Sequence, residues 1–153
     1  MIETFVPGRA APQGSKRYLG NGIMVESSKF LAPWRADVRA ALVDEAGQPG
    51  EHFAGAVVVR LVFVMPRPAG TPKRHTPPAT KRPDIDKLAR AVLDAVTSAG
   101  VWDDDSQVIE LVARKRLADL GETPGCWITV DVPRPEQATV DLDAAVGLFE
   151  VTR

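Results

Sequence analysis

The sequence predicts an α/β (α+β) domain: a small mixed sheet of about four to five strands with two main helices. Two observations predict it. Val57, Val58, Val59, Leu61, Val62 and Phe63 crowd β-branched and apolar residues into one short run, the composition of a strand buried on both faces. Two other stretches, Phe30 to Leu42 and Leu88 to Ala99, repeat apolar residues at helical spacing. A chain of 153 residues, 44% of them hydrophobic, can close one core without a disulfide or a structural metal.

Taken in order, residues 3–6 and 22–25 read as short strands around a connecting segment, 7–20, that is rich in Gly and Pro and carries Arg9, Lys16 and Arg17. Ser27 or Ser28 is placed to cap a helix running to about Glu45, with Phe30, Leu31, Trp34, Val38, Ala41 and Leu42 on its apolar side and Gly47 as its stop. Residues 54–65 form the central strand. Residues 66–82 hold five prolines and, with His75, six basic residues, so regular structure is excluded and a mobile basic loop is expected. Pro83 opens the second helix, Leu88, Val92, Leu93, Ala95, Val96 and Ala99 form its stripe, and Gly100 closes it. Residues 107–112 and 127–132 are the last two strands. The partition that follows is one domain, 1–133, and a tail, 134–153, in which Val140, Leu142, Ala145, Val146 and Leu148 fit a short helix or a partner-docking segment equally.

The formal net charge of -1 conceals a division along the chain. Residues 9–90 carry fourteen Lys or Arg against seven Asp or Glu, whereas residues 91–153 carry five against twelve. Local field and not net charge draws in a polyanion, so the first half is a plausible phosphate-facing surface, and an ordinary solvated surface is the plain alternative. One cysteine, Cys126, excludes an internal disulfide and is expected in the core, as are Trp34 and Trp127, although an exposed aromatic could stack on an unpaired base. His52 and His75 are expected at the surface, with nothing to pair them into a zinc site. No apolar run reaches the eighteen or so residues of a membrane span and no signal pattern opens the chain, so a cytoplasmic protein is expected.

Chemistry concentrates in two acidic groups that bracket the second helix. Asp84 and Asp86, two apart at its start, can aim their oxygens at one point, and Asp103, Asp104 and Asp105 follow its end. Oxygen ligands of this kind suit Mg²⁺ or Mn²⁺, which can activate a water and neutralise charge on a phosphodiester in flight. A helix from Asp86 to Ser98 carries the chain about 20 Å away at about 1.5 Å per residue. The seven residues to Asp105 span at most about 23 Å. A return to Asp84 is therefore possible if Val101 and Trp102 run back extended along the apolar stripe. Asp86, Arg90 and Asp94 share a helical face, which puts Arg90 one turn above the site as a phosphate ligand, with Lys87 on its flank and Lys115 on the following strand. Taken singly, the same residues read as a helix cap, a solvated turn and a weak surface ion pair.

The joint pattern resembles the RusA family of Holliday-junction resolvases, found in bacteria and in many phages. The resemblance is strongest from Arg82 to Lys115: Asp84-x-Asp86, a helix with Asp94 and Ala95, then Gly100-x-Trp102-x-Asp104-Asp105-x-Gln107-Val108, then Lys115. It implies a RusA-like fold and a homodimer that binds four-way DNA junctions in recombination and repair, nicking two strands symmetrically with Mg²⁺. It also implies that Asp84, Asp86 and Asp105 are the metal-binding and catalytic carboxylates, with Asp104 of lesser weight. Lys87 stands where the family has asparagine, and Arg90 stands where it has a catalytic lysine. Arginine keeps the charge but cannot release a proton near neutral pH, so a phosphate-stabilising role survives and a proton-transfer role does not. The expected DNA-facing residues are Lys16, Arg17, Lys73, Arg74, Lys81, Arg82, Lys87 and Lys115. The competing function is a branched-DNA-binding protein that does not cut. A hydrolase of small phosphoesters fits less well, because a broad basic strip is the opposite of a closed pocket.

Overall fold

The computed structural model describes residues 1–14, 16–21, 23–26 and 28–135. The β-branched run is strand β4 (Val57–Met65), and it lies inside a four-stranded sheet. The remaining strands are β1 (Ile2–Pro7), β5 (Val108–Leu117) and β6 (Gly125–Asp131), in the spatial order β1-β6-β4-β5. Strand β6 pairs antiparallel with β1 and β4, whereas β5 pairs parallel with β4, from Val57↔Val108 to Met65↔Leu117. A separate hairpin joins β2 (Lys16–Gly20) to β3 (Ile23–Glu26). The helices are α1 (Leu31–Ala40) and α2 (Ile85–Ser98).

Side chains alternate across a strand, so alternate residues of β4 and β6 define the core face. Val57, Val59, Leu61 and Phe63 meet Cys126, Ile128 and Val130 there, all essentially without solvent contact. The apolar stripe of α2, with Leu88, Val92, Ala95 and Val96, joins Trp34 and Val38 of α1 in the same cluster. Burial pushes the Cys126 thiol up to about 12, as expected of a core thiol. Trp127 departs from expectation. It lies on the opposite face of β6, is 45% exposed, and packs its ring against Phe5 at 4.9 Å between centroids.

The first helix is shorter than its periodicity predicts. The Asp44 carboxylate accepts the Gln48 N–H at 2.8 Å and the Asp44 N–H donates to Gln48 O, which folds residues 44–48 into a turn that competes with further helix. Gly47 supplies the positive φ of that turn and does not end the helix directly. Within the expected irregular segment 7–20, residues 16–20 are strand. The strand that follows the acidic turn is longer than expected and continues to Leu117. The tail beyond Pro135 lies outside the described residues.

Residues 66–82 are not the loose strip that their prolines suggest. The Arg67 guanidinium gathers the segment by donating to Pro72 O (2.5 Å), Thr76 Oγ1 (2.9 Å), His75 O (3.0 Å) and Ala118 O (3.0 Å). Thr76 in turn donates to Asp119 at 2.5 Å. A planar fork with five donors suits this task, because one side chain satisfies several carbonyls that a proline-rich backbone leaves unpaired.

Two predictions follow from the packing. Gly125 sits where an added Cβ would come within 2.3 Å of Val6 O and 2.6 Å of the Phe5 ring, so Gly125→Ala should lower stability by about 1–3 kcal/mol, read as a fall in Tm. A Gly125→Ala protein as stable as the parent would contradict this close approach. The second concerns Glu122, which the Arg116 guanidinium (2.6 and 2.7 Å) and the Asp119 N–H hold down to about 2. A carboxyl depressed on folding contributes stability above its unfolded value, here 4.5, and loses it as pH falls towards 2. Glu122→Gln should therefore flatten the acid limb of a stability–pH curve between those limits and leave its slope above pH 5 unchanged.

Candidate active site

Asp84 occupies the N-cap position of α2, with extended backbone angles. Its carboxylate nevertheless makes no capping hydrogen bond, and the Lys87 ammonium lies 3.4 Å away. Asp86, in the first helical turn, is exposed and accepts no hydrogen bond among the described residues. The helix-cap reading of Asp84-x-Asp86 therefore does not account for these side chains. Arg90 is also exposed and makes no ion pair among the described residues, so the reading of Asp86 and Arg90 as a surface ion pair does not hold. It lies beside Gly14, while Asp94, one turn further, accepts from Gln13 Nε2.

The far end of α2 is closed by Gly100 at φ 76, with Gly100 N–H donating to Thr97 O and Val101 N–H to Val96 O. This pair of bonds turns the chain out of the helix, and only a residue tolerant of the left-handed region fits it cheaply. Val101 and Trp102 are then buried, as the return path requires. Trp102 donates its indole N–H to Thr97 Oγ1 at 2.7 Å, and the strand-like pairing of Phe53 with Trp102 continues into a bond from Phe53 N–H to Val101 O.

Gln107 holds the acidic turn, a role the sequence reading missed. Its side-chain oxygen accepts from the N–H groups of Asp103 (2.8 Å) and Asp104 (3.1 Å), and its amide donates to Phe53 O and Gly55 O (2.8 Å each). Asp104 completes a capping box by accepting from Ser106 N–H, which holds its own carboxyl below the usual range. The spacing Asp104-x-x-Gln107 is the signal that could have revealed it. Because Asp104 and Gln107 do the capping, the Asp105 carboxylate is left exposed and without a hydrogen bond among the described residues.

These elements do not bring the third carboxylate up to the other two within one chain. In a parallel β-α-β unit the helix runs against the strands, so its start lies at their C-terminal ends and its finish at their N-terminal ends. Asp105 directly precedes β5, while Lys115 near the other end of β5 donates to Pro83 O at 2.8 Å and Lys81 O at 2.9 Å. Seven residue steps along the strand carry Val108 to Lys115, about 23 Å at about 3.3 Å each. What β5 returns to Asp84 is Lys115, and its ammonium ties the strand to the backbone just ahead of α2. Consistently, no three His, Cys, Asp or Glu side chains among the described residues surround a common metal position. The donor chemistry still fits a hard divalent cation, because Asp84, Asp86 and Asp105 all present exposed carboxylate oxygens.

Among the other expected DNA-facing residues, Lys73, Arg74, Lys81 and Arg82 are exposed on the loop that Arg67 organises, and Lys87 is half-buried beside Asp84. Lys16 and Arg17 fall on β2, where the structure describes the backbone alone. His52 and His75 are at the surface as expected. Between the loop and residues 9–12 lies a cleft of about 970 Å³, lined by Arg9, Phe30, Pro78, Lys81 and Arg82 among others. A smaller recess of about 190 Å³ adjoins it and is formed by Pro12, Arg82, Pro83, Asp84 and Lys87. A carboxylate, Asp84, in a recess next to a basic cleft is an arrangement suited to handling phosphodiesters.

This places the chain in the class of small α+β proteins with an acidic, cation-bordered site. A profile of the family described as Endodeoxyribonuclease RusA matches residues 7–131, which is most of the chain and includes every site residue above. The chain therefore belongs to the RusA endodeoxyribonuclease family. A search of curated proteins finds no significant match.

Replacing Gln107 tests how the acidic turn is held. Gln107→Leu removes four hydrogen bonds at once and should cost about 1–3 kcal/mol in denaturant unfolding. Gln107→Glu keeps the accepting oxygens for Asp103 and Asp104 and should fall between the two. An unchanged unfolding midpoint in the leucine variant would mean that the turn is held by something else.

Proposed function

We propose that this protein resolves four-way DNA junctions as a homodimer, hydrolysing two opposed phosphodiesters with Mg²⁺ held by Asp84, Asp86 and Asp105. The observation that carries the reading is the set of uncommitted charged groups at the start of α2. Asp84, which caps nothing and has the Lys87 ammonium beside it, stands in a recess next to a basic cleft. Asp86 and Arg90 on the same helix make no hydrogen bond or ion pair among the described residues, in a chain of the RusA family. Charged groups left unpaired by their own fold are available to a ligand. Arg90 would hold the scissile phosphate and oppose charge growing on it, and Lys87, already at Asp84, would orient that carboxylate. Mg²⁺ or Mn²⁺, when bound, supplies an activated water and charge neutralisation.

The separation of Asp105 from Asp84 along β5 bears on how the site is made up. A site that uses all three aspartates draws the third from a second copy of the chain, which ties activity to dimerisation. Strand β5 supports such an association. It is a sheet edge, and it exposes Ile109, Leu111 and Val112, the kind of edge that invites pairing with another chain. Two copies related by a two-fold axis would carry two equivalent sites, matching two opposed strands.

The test is a mixing experiment on a synthetic junction in Mg²⁺. Asp84→Asn and Asp105→Asn should each abolish cutting while binding in calcium persists. Mixed and allowed to exchange subunits, they should recover cutting of single strands, because one site of the heterodimer regains Asp84 from one chain and Asp105 from the other. No recovery from a mixture proven to contain heterodimers would rule out the shared site. Undiminished cutting by either single variant would rule out the metal assignment, and a protein that shifts junctions in a gel but never nicks them would be a binder and not a nuclease.

A further inference from the structure

Phe30 is a large apolar side chain that the fold leaves 41% exposed at the start of α1, outside the stripe of Leu31, Trp34 and Val38. Two cations lie over its ring, the Arg9 guanidinium at 4.7 Å from the centroid and the Lys29 ammonium at 5.1 Å, and both belong to exposed residues. The ring forms part of the lining of the 970 Å³ cleft, whose far wall carries Lys81 and Arg82. Pro12, Arg82 and Pro83 border both this cleft and the recess containing Asp84, so the two spaces adjoin. When the exposed Arg9 and Lys29 side chains swing from the ring onto phosphates, Phe30 offers one flat apolar surface in a groove that also carries Lys81 and Arg82 and has no acid in its lining. That chemistry matches a nucleobase and its flanking phosphates.

We infer that Phe30 is a stacking platform for an unpaired base at the branch point, with Arg9, Lys29, Lys81 and Arg82 holding the adjoining backbone as the strand runs towards Asp84. This rests on the nucleic-acid reading above and deepens it, since a stacking site for an unpaired base distinguishes a junction from duplex. A paired base has no free face to offer, so linear DNA gains only the cation contacts.

Equilibrium binding in EDTA tests this without requiring any cutting. Three DNAs are compared: a four-way junction, the same junction with abasic residues at the branch, and a linear duplex of equal length. Phe30→Ala should weaken junction binding about five-fold or more and duplex binding less than two-fold. Phe30→Trp should restore it, and Phe30→Ala should add nothing on the abasic junction. Because Phe30 is exposed, the variants should keep the parent Tm. Equal losses on junction and duplex, or an alanine variant that binds the junction as the parent does, would overturn the stacking site alone. A parent protein that binds neither DNA would overturn it together with the nucleic-acid reading.

Discussion

The parallel pairing of β4 with β5 is the constraint on which the rest of this molecule depends. Parallel neighbours cannot be joined by a tight turn, so the chain must leave the end of β4, cross the sheet and re-enter at the start of β5. That crossing carries the basic loop, α2 and the acidic turn in sequence. Helix α2 is therefore buried along one stripe and laid against the strand direction. Its two ends, with the two groups of aspartates, are held at opposite ends of the parallel strands by the same ladder that holds the sheet.

Polar side chains divide the labour around this crossing. Asp104 and Gln107 cap and anchor the acidic turn, Gln13 joins the N-terminal segment to Asp94, Arg67 shapes the basic loop, and Lys115 ties β5 to the backbone ahead of α2. Each satisfies backbone or side-chain groups that would otherwise lack partners, which is a structural use of charge and amide. Asp86, Arg90 and Asp105 are among the groups that this division of labour leaves without a partner among the described residues. A fold that satisfies its own hydrogen bonds with some polar residues frees others at the surface, and those are the ones available for chemistry.

The cleft extends this division to a whole surface. Its cations belong to a chain with a net charge of -1, so the attraction for phosphates is local, set by the loop that Arg67 pulls together and by residues 9–12 opposite. A proline-rich loop held in one shape presents its lysines and arginines at less entropic cost than a loose one. Organised loop, aromatic ring and Asp84 thus line two adjoining spaces.

The sheet's central strand, both helices and the end of α2 at Gly100 were legible in the residues, because periodicity and turn chemistry are local properties. Asp84, Asp86 and Asp105 were legible as acids of a kind that could bind a cation, and the family match covers all three. The extent of α1 was not, since the Asp44 side chain competes with the helix through a bond to Gln48 that periodicity does not encode. Nor was Arg67, whose partners include a carbonyl more than fifty residues away. Above all, chain-length arithmetic allowed Asp105 to return to Asp84, and strand pairing decided otherwise. Residue spacing bounds how far a chain can reach, but direction is set by which strand edge it hydrogen-bonds, and that belongs to the tertiary structure.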